Sequence, residues 1–208
     1  MGFIKRDFKR RSGFRDAKLI VIATEGQKTE AQYFEDFKEH YQTKRIHVEV
    51  LRRSFSASSP RHVLAELNKF KSEYNLVGDD ELWMVIDLDQ WTEAHLGEVA
   101  SHCRQKSFHL AVSNPCFEVW LLLHVKDPAE YSSGELTGFC NKTDLIEELR
   151  RILGSYNSVN IESRRFLPQV PEAIERARLL DSTPDTRWPA ACATRVYLLA
   201  EKILAIKC

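Results

Sequence analysis

Short apolar runs alternate with segments of helical period through the first 125 residues of the chain. Lys18–Thr24 is apolar and predicts a buried strand, whereas Ile46–Arg53 alternates apolar and polar residues, as a strand near a sheet edge does. Leu82–Leu88 and Phe108–Val112 predict two further strands. Strands separated by helices pair in parallel through right-handed crossovers. The pattern therefore predicts an α/β fold with a parallel sheet flanked by helices.

The segments between the strands carry helix-start signals. Thr29, with Gln32 three residues on, predicts a capping box for a helix to about Tyr41. Ser59 before Pro60 is typical of a cap followed by a first-turn proline. The other two helices of this region are predicted over Glu93–Gln105 and from Asn114 and Pro115 through His124.

The pattern changes after Asp127, where a loop rich in glycine and serine has no period. Helical signals follow at about 142–154, 170–181 and 189–206, with no strand between them. We therefore expect a basic N-terminal arm (1–17), an α/β core (18–127) and a helical C-terminal extension (128–208).

Composition narrows the class of protein. A chain of 208 residues, 43% of them hydrophobic, fits one domain with a sizeable core. No apolar run is long enough to span a bilayer, and the basic N-terminus lacks an apolar signal core. Five cysteines without a C-x-x-C pair suit reduced thiols. These features predict a cytoplasmic protein with no membrane contact, and they leave its oligomeric state open, a homo-oligomer included.

Charge is unevenly distributed along a chain that is neutral overall. Residues 1–18 hold seven Lys and Arg against two Asp, a net charge of +5, and phenylalanines lie among them. Arg10 and Arg11 are at the centre of this arm. It could bind a nucleic-acid backbone, or it could be a solubilising tail that packs its aromatic rings on the body.

The segment ATEGQKTE, residues 23–30, follows the first predicted strand and superficially resembles a phosphate-binding loop. A Walker loop requires G-x-x-x-x-G-K-[ST], yet Gln27 precedes Lys28 where glycine is needed, and Gly26 is the segment's single glycine. The sequence therefore argues against a Walker cradle and directs attention to the acid Glu25.

Three acids follow predicted strands. Glu25 ends the first strand, and Asp87 and Asp89 end the third, with Leu88 facing the other way. Ligands of parallel α/β sheets bind where the strands end, and converging carboxylates favour a divalent cation there. Oxygen ligands without a His or Cys cluster favour Mg²⁺ or Mn²⁺. The alternative is that this D-x-D is a helix-capping loop with solvated acids.

These motifs carry a family resemblance. ATEGQKTEAQYF, VIDLDQW, SNPCFEVWLLLH and the later Lys142 resemble the RloB-like family, Toprim-like proteins found near bacterial restriction and abortive-infection loci. The resemblance implies that Glu25, Asp87 and Asp89 bind metal, and that Gly26, Lys28 and Glu30 belong to the site loop. It covers about Lys18 to Leu204.

Several further residues are candidates. Glu118, near the start of a predicted helix, is a fourth acid or a partner of the site, and His124 is better explained as a structural histidine. Lys28 and Lys142 could hold a phosphate or stabilise charge on a leaving oxygen, with solvated lysines as the alternative. Candidate contacts to backbone phosphates, with ordinary surface arginines as the alternative, are Arg52, Arg53 and Arg61.

Together these features predict a Mg²⁺- or Mn²⁺-dependent nuclease that hydrolyses phosphodiesters of DNA or RNA as an effector of bacterial anti-phage defence. One alternative is a non-catalytic or partner-activated module that works with an ATPase. Another is phosphohydrolysis of a small nucleotide by the same acids.

Overall fold

A five-stranded sheet forms the centre of the computed structural model, which describes residues 5–9, 17–52, 59–89, 91–139 and 141–205. The strands in chain order are β1 (Arg6–Asp7), β2 (Lys18–Thr24), β3 (Ile46–Leu51), β4 (Tyr74–Asn75), β5 (Glu81–Asp87), β6 (His109–Asn114) and β7 (Ala193–Thr194). The sheet order is β3-β2-β5-β6-β7, in which β7 alone runs antiparallel. The predicted α/β class and the edge position of β3 are confirmed.

Helices cover both faces of this sheet. Within the described residues they are α1 (Thr29–Tyr41), α2 (Pro60–Glu73), α3 (Glu93–Lys106), α4 (Glu118–Val125), α5 (Ser133–Gly138), α6 (Lys142–Leu153), α7 (Val170–Leu180) and α8 (Val196–Ala205). Short 3₁₀ turns lie at Pro128–Glu130, Ser163–Arg165 and Leu167–Gln169. None of the helices in the described part of the chain combines the length and apolar character needed to span a bilayer.

Strand β2 shows why the sheet is apolar on both sides. Ile20 and Ile22 belong to a cluster with helices α1, α4, α6, α7 and α8, whereas Leu19 and Val21 belong to a second cluster with α2 and α3. Alternate residues of a strand point to opposite faces, so a strand covered twice must be apolar throughout. The first cluster joins residues from both sides of position 127, and the division of the chain at that position stays a prediction.

Local details differ from the sequence-based expectations at the end of β6. Asn114 does not cap a helix; it is the last residue of β6, and its side-chain amide donates to the Pro189 carbonyl at 2.9 Å. Helix α4 starts only at Glu118. A residue before proline is disfavoured in helical geometry, and pairing with β7 holds Asn114 extended.

Two other expectations are also corrected. Thr29 is the first residue of α1 and not its cap, because its hydroxyl donates to the Ser158 carbonyl. The C-terminal third contains strand β7, and α8 begins at Val196, later than the predicted 189. A two-residue strand is too short to produce a period in the sequence.

The described part of the N-terminal arm packs on the body at the amino end of the sheet, where the parallel strands begin. Strand β1 pairs with β4, and the Phe8 ring contacts the rings of His47, Phe70 and Tyr74. This arrangement matches the packed-tail alternative for residues 5–9. Arg10 and Arg11 lie outside the described residues.

Candidate active site at the carboxyl end of the sheet

The candidate site lies at the carboxyl end of the sheet, where the parallel strands finish. Glu25 directly follows β2, and Asp87 is the last residue of the adjacent strand β5. The backbone N–H groups of Leu88 and Asp89 both donate to the Pro115 carbonyl, at 3.0 and 3.1 Å. The D-x-D turn is thereby tied to the loop between β6 and α4.

Three helices begin at the same place. Glu30 lies in the first turn of α1, Glu118 is the first residue of α4, and Lys142 is the first residue of α6. The positive end of a helix dipole stabilises a nearby carboxylate, which favours both acids at these positions. Both are nonetheless deeply buried: Glu118 is 0% exposed and Glu30 is 6% exposed.

Glu25 is held in place by two donors. The Trp91 indole Nε1–H donates to Glu25 Oε1 at 2.8 Å, and the Asp87 backbone N–H donates to Oε2 at 3.4 Å. Trp91 lies two residues beyond Asp89, so the segment that carries the D-x-D acids also orients the acid of the neighbouring strand. Glu25 and Asp87 are therefore joined as one unit.

Asp87 and Glu30 bind protons more tightly than ordinary carboxyl groups. Burial, and next the negative charge of Glu30, raise the pKa of Asp87 well above its usual value. Burial, with repulsion from Glu118, raises the pKa of Glu30 to about 7. Asp87 Oδ1 is buried with no hydrogen-bond partner among the described residues. A buried, unpaired acid oxygen of this kind favours binding of a cation.

Lys142 supplies positive charge to this group of acids. Its Nζ lies 3.3 Å from Glu118 Oε2, an ion-pair contact outside hydrogen-bond geometry. Burial lowers the pKa of Lys142, but the charges of Glu118 and Asp87 outweigh burial and raise it. The Tyr156 hydroxyl donates to Glu118 Oε1 at 3.4 Å, and burial, together with the Glu118 charge, raises the pKa of Tyr156.

Gly26 explains how the Glu30 carboxyl reaches the site. A methyl group built on Gly26 would overlap the carboxyl atoms of Glu30. The glycine in ATEGQKTE is therefore required by the close approach of an acid side chain. The glycines of a Walker loop serve a different purpose, since they let the backbone wrap a phosphate.

The donor chemistry of the site fits a divalent cation. Its ligand groups are carboxylate oxygens, and two buried ones, Asp87 Oδ1 and Glu118 Oε2, lack a hydrogen-bond partner among the described residues. The ligand set is not assembled in advance, because no three His, Cys, Asp or Glu side chains of the described chain are grouped so that they could hold a metal ion. Asp89 is exposed at the surface of the turn, whereas Asp87 is buried.

The predicted cations occupy different places. Lys142 interacts with the buried acids, whereas Lys28 is exposed and, with Arg52, lines a groove beside the site. Arg61, on α2, pairs with Glu98 at 2.6 Å. Arg53 lies outside the described residues.

His124 is a structural histidine, as expected. Its Nδ1–H donates to the Trp120 carbonyl at 2.7 Å, and Nε2 accepts from the Tyr33 hydroxyl at 3.0 Å. Burial lowers the pKa of His124 to about 3, so the ring is neutral.

Trp91 and Tyr156 contact the acids although the sequence patterns above predict no role for either residue. Trp91 belongs to the quoted motif VIDLDQW, so its position next to the acids was an available signal. Tyr156 lies in an aperiodic loop between α6 and α7, and no local pattern indicates that it contacts Glu118.

A family model described as RloB-like protein matches residues 20–203. The chain belongs to the RloB-like family. The match includes every residue of the site described above, from Glu25 to Tyr156. No curated protein and no solved structure matches the chain. The comparisons therefore establish the family of the chain, and the chemistry of the site has to be inferred from its geometry.

Proposed function

We propose that this RloB-like protein is a Toprim-like, metal-dependent nuclease that hydrolyses phosphodiester bonds of nucleic acid. The observation that carries the proposal is the group of buried acids at the carboxyl end of the sheet, near Lys142. Within this group, Asp87 Oδ1 has no hydrogen-bond partner among the described residues. Acids held with raised pKa values in a cleft are typical of functional sites, since burying them costs stability. The bacterial anti-phage setting is the one that the family resemblance implies.

Glu25, Asp87 and Asp89 are the residues that would hold Mg²⁺ or Mn²⁺. The ion would neutralise phosphoryl charge and lower the pKa of water. The indole of Trp91 keeps Glu25 oriented toward Asp87, which limits the rearrangement needed to complete the ligand set.

The remaining groups act on the phosphate and on protons. Lys142 places an ammonium beside the acids, where positive charge favours the extra negative charge of a phosphorane. Glu30 has a pKa of about 7 and can both accept and donate a proton at neutral pH, as a general acid or base must. Lys28, exposed at the rim, is suited to contact a phosphate oxygen of the bound strand.

The test compares Asp87→Asn with Glu81→Gln, a matched amide substitution at the opposite end of β5. Purified proteins are assayed with Mg²⁺ or Mn²⁺ on single- and double-stranded DNA and RNA. We expect Asp87→Asn to lower hydrolysis by about a hundredfold or more, while Glu81→Gln keeps it. We also expect Mn²⁺ to raise the melting temperature of the wild type but not that of Asp87→Asn.

Equal hydrolysis by wild type and Asp87→Asn would contradict the proposal. Metal-induced stabilisation without hydrolysis, until an ATPase partner is added, would favour the partner-activated alternative. Sequencing of nucleic-acid ends from cells that express wild type or Asp87→Ala then identifies the substrate.

A further inference from the structure

A groove with a volume of about 370 Å³ opens beside the acids. Its lining includes Gly26, whose missing side chain leaves room for the Glu30 carboxyl, so the groove adjoins the candidate site directly. Its lining also includes Arg52, the residue after β3, and Val159, from the loop after α6. The groove is thus made by three segments that are distant in sequence.

Among the described residues, two cations line this groove. Lys28 is exposed at its rim, and the Arg52 side chain is 87% exposed. The Arg52 Nε lies 3.7 Å from Glu35 Oε1, and a solvent-exposed ion pair of this length contributes little free energy. A phosphate group can therefore compete for Arg52, with which it forms shorter, charge-assisted hydrogen bonds.

An apolar residue of the lining, Val159, is held in place by its loop. Val159 is 57% exposed, although its side chain would be more stable out of water. Its backbone N–H donates to Asn157 Oδ1 at 2.9 Å, and the preceding carbonyl, of Ser158, accepts from the Thr29 hydroxyl. These bonds fix an exposed apolar side chain in a groove that cations also line. That combination suits a ligand with one flat apolar part and one anionic part.

The size of the groove limits that ligand. Pockets for small molecules have volumes of about 300–1,000 Å³, and this groove is at the lower end, enough for one nucleotide. A base inside a duplex is stacked on both sides and reaches such a groove only when it is extruded. We infer that the groove receives one unstacked nucleotide next to the scissile phosphate, and therefore that the substrate is single-stranded or locally unpaired nucleic acid. This inference rests on the proposed function.

The test measures binding without hydrolysis. Full-length Asp87→Asn protein in EDTA is titrated with a single strand that carries 2-aminopurine and with the same strand fully paired. We expect the single strand to bind about tenfold more tightly, with a change in 2-aminopurine fluorescence as the base enters the groove. A duplex that binds equally tightly would overturn the inference.

Variants of the groove residues test whether the single strand binds in the groove. In the same background, Arg52→Ala should weaken single-strand binding about tenfold, the loss of one charge-assisted contact, and Val159→Ser about fivefold. Val77→Ser is the control for Val159 because both valines are 57% exposed. Arg151→Ala is the control for Arg52 because Arg151 is also an exposed arginine paired with a glutamate. Equal losses in a variant and its control would contradict the inference.

Further outcomes distinguish a mononucleotide from a polynucleotide as the ligand, and they test the groove inference and the nuclease proposal separately. A free 5′-mononucleotide that binds as tightly as the oligonucleotide would overturn the polynucleotide assignment. Strand discrimination without Asp87-dependent hydrolysis would preserve the groove and contradict the nuclease. Asp87-dependent hydrolysis without strand discrimination would support the nuclease and contradict the groove inference.

Discussion

Buried carboxyl groups at the two ends of the same sheet have pKa values shifted in opposite directions. At the amino end, Lys18 Nζ lies 2.5 Å from Glu81 Oε1, and the Trp83 indole N–H donates to Glu81 Oε2 at 2.8 Å. Burial alone would raise the pKa of Glu81, but these hydrogen bonds hold it below its usual value. At the carboxyl end, burial and mutual repulsion raise the pKa of Asp87 and Glu30.

This difference separates charges that stabilise the fold from charges that cost stability. An acid with a lowered pKa stabilises the folded protein when ionised, whereas an acid with a raised pKa destabilises it. Both kinds occur within one strand, β5, which begins at Glu81 and ends at Asp87. The amino end of the sheet is therefore expected to serve the structure, and the carboxyl end to serve binding and chemistry.

The largest expected effect is on how stability depends on pH. The pKa of Glu30 rises from 4.5 to about 7 on folding, so its favourable contribution is complete below pH 4.5 and lost as the pH rises through 7. Glu30→Gln removes that loss and should gain on the order of 3 kcal/mol over the wild type above pH 7, at about 1.4 kcal/mol for each pH unit.

Glu81→Gln should show the opposite sign. The contribution of Glu81 is present above pH 4.5 and is lost as the pH falls through its lowered folded pKa. The variant should therefore be less stable than the wild type at neutral pH and equal to it in acid. Chemical denaturation from pH 3 to 8 measures both variants, and slopes of the same sign would contradict the comparison.

The next effect concerns Gly26→Ala. The added methyl group overlaps the Glu30 carboxyl, which must move out of the site. Misplacing a catalytic group by about 1 Å can cost about a hundredfold in rate, so hydrolysis should fall that far while the melting temperature changes little. Gly78→Ala is the control, because an added methyl group there has no neighbour within 4 Å. A similar loss of rate in both variants would argue against the role of Gly26.

A smaller effect is expected from removing the cation at the carboxyl end of the sheet. Lys142→Met leaves the buried Glu118 without its ion-pair partner and should cost about 2 kcal/mol, below the 3–5 kcal/mol of a fully buried pair because the Lys142 side chain is 42% exposed. The double variant Lys142→Met/Glu118→Gln should recover most of this loss. Denaturant unfolding measures the stability of both variants. A double variant as unstable as Lys142→Met alone would show that the loss of stability does not come from the unpaired Glu118.

The smallest effect is expected at the N-terminal arm. Phe8→Ala removes the ring that packs on His47, Phe70 and Tyr74, and should cost about 1 kcal/mol because the ring is only half buried. Nucleic-acid binding by this variant should be unchanged, since Phe8 packs at the amino end of the sheet. Weaker binding, measured by fluorescence anisotropy, would favour the nucleic-acid hypothesis for the arm.

Local patterns were sufficient to predict the sheet and the acids that end its strands. Glu25 and Asp87 follow apolar runs, and topology alone places the ends of adjacent parallel strands together. The pairing of Lys142 with Glu118 could not be predicted in this way, because it depends on how α6 packs against α4. The sequence also gave no sign of the raised pKa of Glu30, which arises from burial in the finished fold.

The antiparallel strand β7 has a consequence for the order of assembly during synthesis. The Ser113 hydroxyl, at the end of β6, bonds with that of Thr194 at 2.8 Å, across 81 positions of the chain. Helix α7 then packs against α4, the helix that begins with Glu118, and α8 packs against α7 and β6. Contacts between residues so distant in sequence form late, because closing a long loop costs entropy first. A ribosome that has made only the residues up to Lys142 has synthesised the acids and the lysine of the site, yet not the segment that holds them in place. The site is therefore expected to reach its final arrangement only after β7, α7 and α8 have been synthesised and packed.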